Sequence, residues 1–375
     1  MSSQFTEDDR IWMQRALSLA GKGEGYTSPN PMVGCVIVSE SGDVIGEGFH
    51  ERFGKPHAEV NAVESVQDPS LLAGATLYVT LEPCAHHGKT PPCCRMLGDL
   101  PLKRVVVASV DPNPDVNGQG IEWLRNKGIR VDTGLLDSEA RRLNEFFFHF
   151  QETGRPFVTL KIAQTADGYI AAPDGGSRWI TGIDARTLVH QWRSRYDAVM
   201  IGRNTASLDN PALTVRHVEG RQPLRIVIDG PYSLPEDLLL FSDQYEEKTI
   251  VITHNREKAE KDLDPMLKMM QQNYFRGKVL SVPEFEGHTD LKEAIHALGR
   301  EGITSVLTEG GQSLSTAMLR AGVVDKLELF IAPKLLGGGT RSVVGLGIDR
   351  MEEILKPSAV EWTRAGEDML LSAWL

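Results

Sequence analysis

The sequence predicts an α/β protein built as two domains in tandem. Three observations carry that prediction. Strand-like and helix-like segments alternate along the chain, the alternation is interrupted at Thr153-Gly154-Arg155-Pro156, and 375 residues exceed the length of an ordinary single domain.

The elements of the first part follow in order. Thr6 and Asp9 form an N-cap pair for a helix over 10–20, which Gly21, Gly23 and Gly25 stop. Segments 33–38 and 44–49 flank Ser41-Gly42-Asp43 and read as a hairpin. A helix is expected over 57–66, β-branched strands over 76–81 and 104–109, a helix over 121–127 and a strand over 129–134. The amphipathic stretch 138–150 ends in Phe146-Phe147-Phe148-His149-Phe150 and closes a domain at 1–150. A second domain, 155–375, restarts the alternation. Its strands are expected at 157–163, 198–202, 224–229, 249–253, 278–281, 304–308 and 327–332, and its helices at 184–194, 291–299 and 314–321. The charge-rich stretch 246–268 reads as a solvated face, and Gly337-Gly338-Gly339-Thr340 as a mobile loop.

Composition narrows the function. With 41% hydrophobic and 24% charged residues the chain is an ordinary globular protein. Its net charge of −11 disfavours a long nucleic-acid partner, whose phosphates call for a basic face, and points to a small substrate. No apolar run is long enough for a membrane span, and the acidic start at Glu7-Asp8-Asp9 is unlike a secretory signal. Cys35, Cys84, Cys93 and Cys94 are therefore expected as metal ligands or free thiols in a cytoplasmic protein.

The chemistry-bearing motif is His57-Ala58-Glu59 followed by Pro83-Cys84 and, after eight intervening residues, Cys93. One imidazole and two thiolates form a three-ligand zinc site that leaves a position for water. A His-x-Glu half and a Pro-Cys half mark zinc deaminases, in which the glutamate moves protons and does not bind the metal. Glu59 is thus the expected proton shuttle: zinc makes water nucleophilic at neutral pH, and the carboxylate takes its proton and passes it to the ring nitrogen and the departing amine. A closed knuckle using Cys94, His86 or His87 as a fourth ligand is the structural alternative, but it has no need of Glu59 beside His57.

Pro29-Asn30-Pro31-Met32-Val33-Gly34, His57-Ala58-Glu59 and the segment from Pro83 through Cys94 together resemble the RibD family of bifunctional riboflavin-biosynthesis proteins. The resemblance implies a cytidine-deaminase-like three-layer domain followed by a dihydrofolate-reductase-like domain. It implies zinc on His57, Cys84 and Cys93, with the choice of Cys93 over Cys94 resting partly on the family. It implies Asn30, His50, His86 and Lys89 around the substrate, where Lys89 and a histidine suit a phosphate. The implied reactions are deamination of 2,5-diamino-6-ribosylamino-4(3H)-pyrimidinone 5′-phosphate and reduction of its ribosyl chain to ribityl by NADPH.

In the second domain Thr308-Glu309-Gly310-Gly311-Gln312-Ser313 joins an expected strand to an expected helix, an arrangement that presents backbone N–H groups to an anion. It is not a Gly-x-Gly-x-x-Gly fingerprint, so an ordinary Rossmann site is not indicated. Segments around Lys161, Ser177-Arg178-Trp179, Ile201-Gly202-Arg203, Asp209-Asn210-Pro211 and Glu309-Gly310-Gly311 are similar to the RibD reductase. By that resemblance Ala163, Trp179, Thr205, Asp209, Gly311, Gln312, Ser313, Leu314, Ser315, Thr316 and Ala317 contact NADPH. Ser177, Arg193, Leu213, Arg216 and Glu309 contact substrate, with Lys161 or Asp209 as proton donor. The expected assembly is a homo-oligomer, dimer or tetramer. The competing readings are an active deaminase with an idle reductase domain, and a zinc deaminase acting on RNA, which the acidic charge disfavours.

Overall fold

The computed structural model describes residues 5–85, 92–113, 116–263 and 275–375. The chain divides into two compact units, Met1–Thr153 and Gly154–Leu375.

The first unit is a five-stranded sheet between two helical layers. Its strands lie in the order Val44–Phe49, Gly34–Val38, Thr76–Leu81, Arg104–Ser109, Arg130–Thr133. The first two pairings are antiparallel and the last two parallel. The strand period of two explains how one strand feeds two cores. Cys35 and Ile37 point to the layer holding Ala58, Ala62, Leu97 and Leu124, whereas Val36 and Val38 meet Met13 and Ala16 on the opposite face. The first helix, Glu7–Ala20, starts one turn earlier than expected because Thr6 and Asp9 complete a full capping box.

Two departures concern the site. The amphipathic stretch 138–150 is divided between two helices, Asp137–Leu143 and Glu145–Thr153. Asn144 at the break turns its buried side-chain amide onto the backbone of Met32, accepting from its N–H at 2.7 Å and donating to its carbonyl at 2.8 Å. Likewise His57 does not open the helix Ala58–Glu64 but caps it in an extended conformation, φ −75° and ψ 165°, which leaves its ring free of the helix surface.

The second unit carries a nine-stranded sheet in the order Lys278–Ser281, Thr249–Thr253, Leu224–Ile228, Ala198–Gly202, Ser305–Thr308, Phe157–Thr165, Lys326–Ala332, Asp368–Trp374, Ala359–Ala365. The last two pairings are antiparallel and the other six parallel. Every residue of Thr249–Thr253 is buried, so the solvated face expected over 246–268 is confined to its flanks among the described residues; 264–268 lie outside them. The glycine run is also no free loop. The Asp167 carboxylate accepts from the backbone N–H groups of Leu336 and Gly337, and Thr340–Arg341 pairs with Tyr169–Ala171.

Helix Ala58–Glu64 lies directly on strand Val44–Phe49, because Gly46 and Gly48 offer no side chain on that face. A Cβ at Gly48 would stand 2.4 Å from the Ala62 nitrogen and 2.6 Å from the Ala58 oxygen. Gly48→Ala is therefore expected to destabilise the unit by about 1–3 kcal/mol through overpacking and to displace Glu59. Urea denaturation with metal analysis checks this, and unchanged stability and zinc content would refute the contact.

Candidate functional sites

In the first unit three donors from separate elements converge. His57 caps the helix Ala58–Glu64, Cys84 follows the strand Thr76–Leu81, and Cys93 opens the helix Cys93–Gly98. The His57 Nδ1 atom lies 3.4 Å from Cys93 Sγ and 3.6 Å from Cys84 Sγ, and all three ligand atoms fall within 4.8 Å of one another. Donors of a tetrahedral zinc at about 2.0–2.3 Å stand roughly 3.5 Å apart, so these residues fit that metal. Cys94, by contrast, is buried in the core with Leu97, and its N–H donates to the Cys84 carbonyl; Cys35 is fully buried in its strand. The Cys84 thiol is pulled down to about 4, chiefly by the hydrogen bond from Cys93 and then by His57 against the effect of burial. Cys93 is pushed up, chiefly as that donor.

Glu59 is 3% exposed and its carboxyl is within hydrogen-bonding reach of Cys93. Burial first, then the negative Cys84, pushes this carboxyl up to about 7. It sits against the ligands as a proton carrier requires. Asn30 and His50 adjoin the same place. The Asn30 Nδ2 atom is 3.2 Å from His50 Nε2, His50 Nδ1 is 3.0 Å from the Pro56 carbonyl, and the His50 and His57 rings meet edge to face at 5.4 Å. His86 and Lys89 lie outside the described residues.

Two supporting residues escaped sequence reasoning. Glu82, 3% exposed, accepts from the backbone N–H groups of Asp111, Gly118, Gly120 and Ile121 at 2.9–3.3 Å. It anchors the turn into Pro83-Cys84, and Gly120 packs so close that a Cβ there would be 2.0 Å from the Pro83 oxygen. The signal was available in an acidic residue among strand-like apolar ones, where burial demands partners. Asn144 gave no local signal, since its partner Met32 is 112 positions away.

In the second unit Glu309 follows the strand Ser305–Thr308, and both its oxygens accept from Arg193 on the helix Ile183–Arg195, at 2.6 and 3.0 Å. Lys161 Nζ lies 3.9 Å from the same carboxylate. Burial alone would push Glu309 up, but Arg193 and then Lys161 outweigh it and hold the carboxyl at about 2. Burial lowers Lys161 against the pull of Glu309. Arg216 donates its backbone N–H to His190 Nδ1 at 3.1 Å. That ring is held at about 4 by burial and then by Arg193, so it stays neutral and accepts. Leu213 is 2% exposed with φ +52°.

The remaining expected contacts are distributed along the ends of the strands. Thr205 on the helix Arg203–Asp209 reaches Gly311, where its Oγ1 would be 3.4 Å from an added Cβ, and Gly311 caps the helix Gln312–Ala321. Asp209 is exposed at the end of its helix, Ala163 and Ser177 are half-buried, and Trp179 is 64% exposed with Arg186 stacked 4.4 Å from its ring centre. Along the helix Gln312, Leu314 and Ala317 are half-buried and Ser313 exposed. Ser315 and Thr316 are buried, with the Thr316 hydroxyl accepting from the Val344 N–H.

A layered sheet carrying a His-Cys-Cys donor set beside a buried glutamate defines a zinc-dependent deaminase domain, here followed by a separate reductase-type α/β unit. Residues 6–109 match the cytidine and deoxycytidylate deaminase zinc-binding region, and residues 156–371 match the RibD C-terminal domain. The chain is 42% identical to the riboflavin biosynthesis protein RibD of Actinobacillus pleuropneumoniae, over 98% of this chain and 95% of that one. It is 43% identical to RibD of Aquifex aeolicus, over 97% and 98% respectively. Among solved structures it is similar to Acinetobacter baumannii RibD, with a TM-score of 0.85 and 36% identity over 98% of this chain and 99% of that one. It is also similar to a diaminohydroxyphosphoribosylaminopyrimidine deaminase/5-amino-6-(5-phosphoribosylamino)uracil reductase of Thermotoga maritima, with a TM-score of 0.84 and 35% identity over 98% of each chain. The chain belongs to the RibD family: a bifunctional deaminase and reductase of riboflavin biosynthesis, with a cytidine-deaminase-like domain and a dihydrofolate-reductase-like domain.

Two outcomes test these sites. Glu59→Gln should lower ammonia release by about 100-fold or more while metal analysis still finds zinc bound; loss of the metal would contradict a proton-shuttle role. The depressed Glu309 carboxyl stabilises the fold fully above its ordinary value of 4.5, and that contribution is lost as pH falls toward 2. The melting-temperature gap between the native chain and Glu309→Gln should therefore shrink as pH drops through that window. A gap independent of pH would refute the ion pair's role.

Proposed function

We propose that the deaminase substrate is 2,5-diamino-6-ribosylamino-4(3H)-pyrimidinone 5′-phosphate, and that the second unit reduces the ribosyl chain of the product to ribityl with NADPH. The convergence of His57, Cys84 and Cys93 beside buried Glu59 carries the reading. Zinc held by these three supplies the Lewis acidity that makes water a nucleophile at neutral pH. Glu59 takes the proton of the attacking water, delivers it to the ring nitrogen and then protonates the leaving amine. Asn30 reads the pyrimidine edge with His50 fixing its amide, and Lys89 and His86 receive the phosphate.

In the second unit Ala163, Trp179, Thr205, Asp209 and the residues from Gly311 to Ala317 at the start of the helix Gln312–Ala321 would hold NADPH, which would supply the hydride. Arg216 and Arg193 answer the substrate phosphate, and Ser177, Leu213 and Glu309 line the substrate. Glu309 holds Arg193 in place, and Lys161 or Asp209 delivers the proton. The protein orients the cofactor, and the hydride chemistry belongs to NADPH. No helix among the described residues is long and apolar enough to cross a membrane. We read the enzyme as a cytoplasmic homo-oligomer acting on this small phosphorylated substrate.

Purified chain incubated with zinc, NADPH and the diaminopyrimidine phosphate should release ammonia and then oxidise NADPH, with a product mass matching the ribityl compound. Ammonia release without NADPH oxidation would sink the reductase half, and neither signal would sink the whole assignment.

A further inference from the structure

We propose that His190 and Gln222 are positioning residues of the reductase half: they hold the backbone of residues 212–216 so that Arg216 meets the phosphate of the substrate. The proposal rests on the reading, given above, that Arg216 answers that phosphate.

Residues 210–216 belong to neither helix nor strand, yet Leu213, Thr214 and Val215 are buried. Buried backbone without a ladder must find its hydrogen bonds elsewhere. Here side chains from separate parts of the unit supply them. The Ala212 carbonyl accepts at 3.3 Å from Arg225 on the strand Leu224–Ile228, and the Thr214 carbonyl accepts at 3.1 Å from Arg193. The Gln222 amide closes on both polar groups of Val215, accepting from its N–H at 2.8 Å and donating to its carbonyl at 3.0 Å. That two-point contact stands in for the neighbouring strand this arm lacks. The Arg216 N–H donates to His190 Nδ1 at 3.1 Å. His190 is 5% exposed and precedes Arg193 by three residues on the helix Ile183–Arg195, so one helix face serves two points of the arm. The bracing also holds a strained residue. Leu213 has φ +52°, a conformation that persists only where the surroundings impose it.

The bracing stops at Arg216. Its side chain is exposed, its guanidinium makes one long contact, 3.5 Å to the Thr214 hydroxyl, and no carboxylate among the described residues is paired with it. A cation on a fixed backbone with an uncommitted head suits a phosphate, because the freedom of the arm is lost in folding and not again on binding. Since His190 accepts at Nδ1, its proton sits on Nε2 and the ring is neutral, so it adds no positive charge beside Arg193 and Arg216. His190 and Gln222 thus act on the substrate through the main chain of the arm.

The test uses the full zinc-loaded chain with NADPH, and compares the deamination product with the same compound stripped of its phosphate by a phosphatase. The readout is the ratio of the two kcat/KM values for NADPH oxidation. Arg216→Ala should lower that ratio. His190→Leu and Gln222→Met should each lower it about tenfold, the size expected for a lost hydrogen bond, chiefly through KM for the phosphorylated compound. His190→Asn, whose Oδ1 takes the place of Nδ1, should restore it. In an Arg216→Ala background His190→Leu should change the ratio no further, whereas a merely structural loss would add to it. Ammonia release by the first unit should be the same in every variant. If Arg216→Ala lowers the ratio but neither His190→Leu nor Gln222→Met does, or if His190→Asn is as impaired as His190→Leu, the positioning role is overturned. If Arg216→Ala leaves the ratio at its native value, the phosphate reading falls and this proposal with it. Should His190→Leu fail to fold, Gln222→Met and His190→Asn carry the same test.

Discussion

A carboxylate that accepts four backbone N–H groups at once cannot shift without giving all of them up, and Glu82 is such a group. It stands two residues before Cys84, so the position of the first thiol is inherited from the loop and helix start at Asp111–Ile121. Gly120 completes the constraint from the other side, leaving the Pro83 carbonyl no room to retreat. The opposite wall is fixed by backbone contact as well, where Gly46 and Gly48 let the helix with Glu59 lie on its strand. The donor set is thus positioned by main-chain contacts on two sides before any metal arrives. Each hydrogen bond to a charged acceptor contributes about 1.5–3 kcal/mol, so the arrangement is stiff where the chemistry needs it.

The second unit solves a different problem with similar means. Arg193, Lys161 and Glu309 are half-buried together, and a cation left alone there would be costly. Glu309 neutralises Arg193 through a two-point contact and leaves Lys161 at a longer distance, 3.9 Å, with its charge only partly compensated. His190 stays uncharged among these cations and spends its ring nitrogen on the Arg216 backbone. The cluster therefore holds several basic groups close together without holding several unopposed charges.

Much of this was legible in the sequence, for a physical reason. Strands such as Thr76–Leu81, Ala198–Gly202 and Thr249–Thr253 are buried on both faces and read as short runs of apolar and β-branched residues without alternation. The metal donors were legible because His-x-Glu and Pro-Cys are local patterns that follow one helix start and one strand end. Long-range partners were not. Asn144 breaks an amphipathic run to serve Met32, and nothing near it in the chain announces that. The hairpin Ala359–Ala365 with Asp368–Trp374 was also missed, because exposure of its outer strand on both faces removes the inside–outside alternation that marks a strand. In the charged stretch 246–268 the strand was legible but the burial of all five of its residues was not, because the flanking lysines and glutamates suggest a solvated face.

One detail of the zinc site bears on how such sites diverge. The Cys94 N–H donates to the Cys84 carbonyl, and the Cys93 N–H reaches the Cys84 sulfur at 3.3 Å, so the chain is tied off at the base of the segment joining the two thiols. Where two chain positions are held together, lengthening a flexible connection between them costs only a slowly growing entropy, roughly 0.6 kcal/mol for each doubling. The eight residues that separate Cys84 from Cys93, where the common deaminase pattern has two, therefore add little entropic cost to holding the two thiols together.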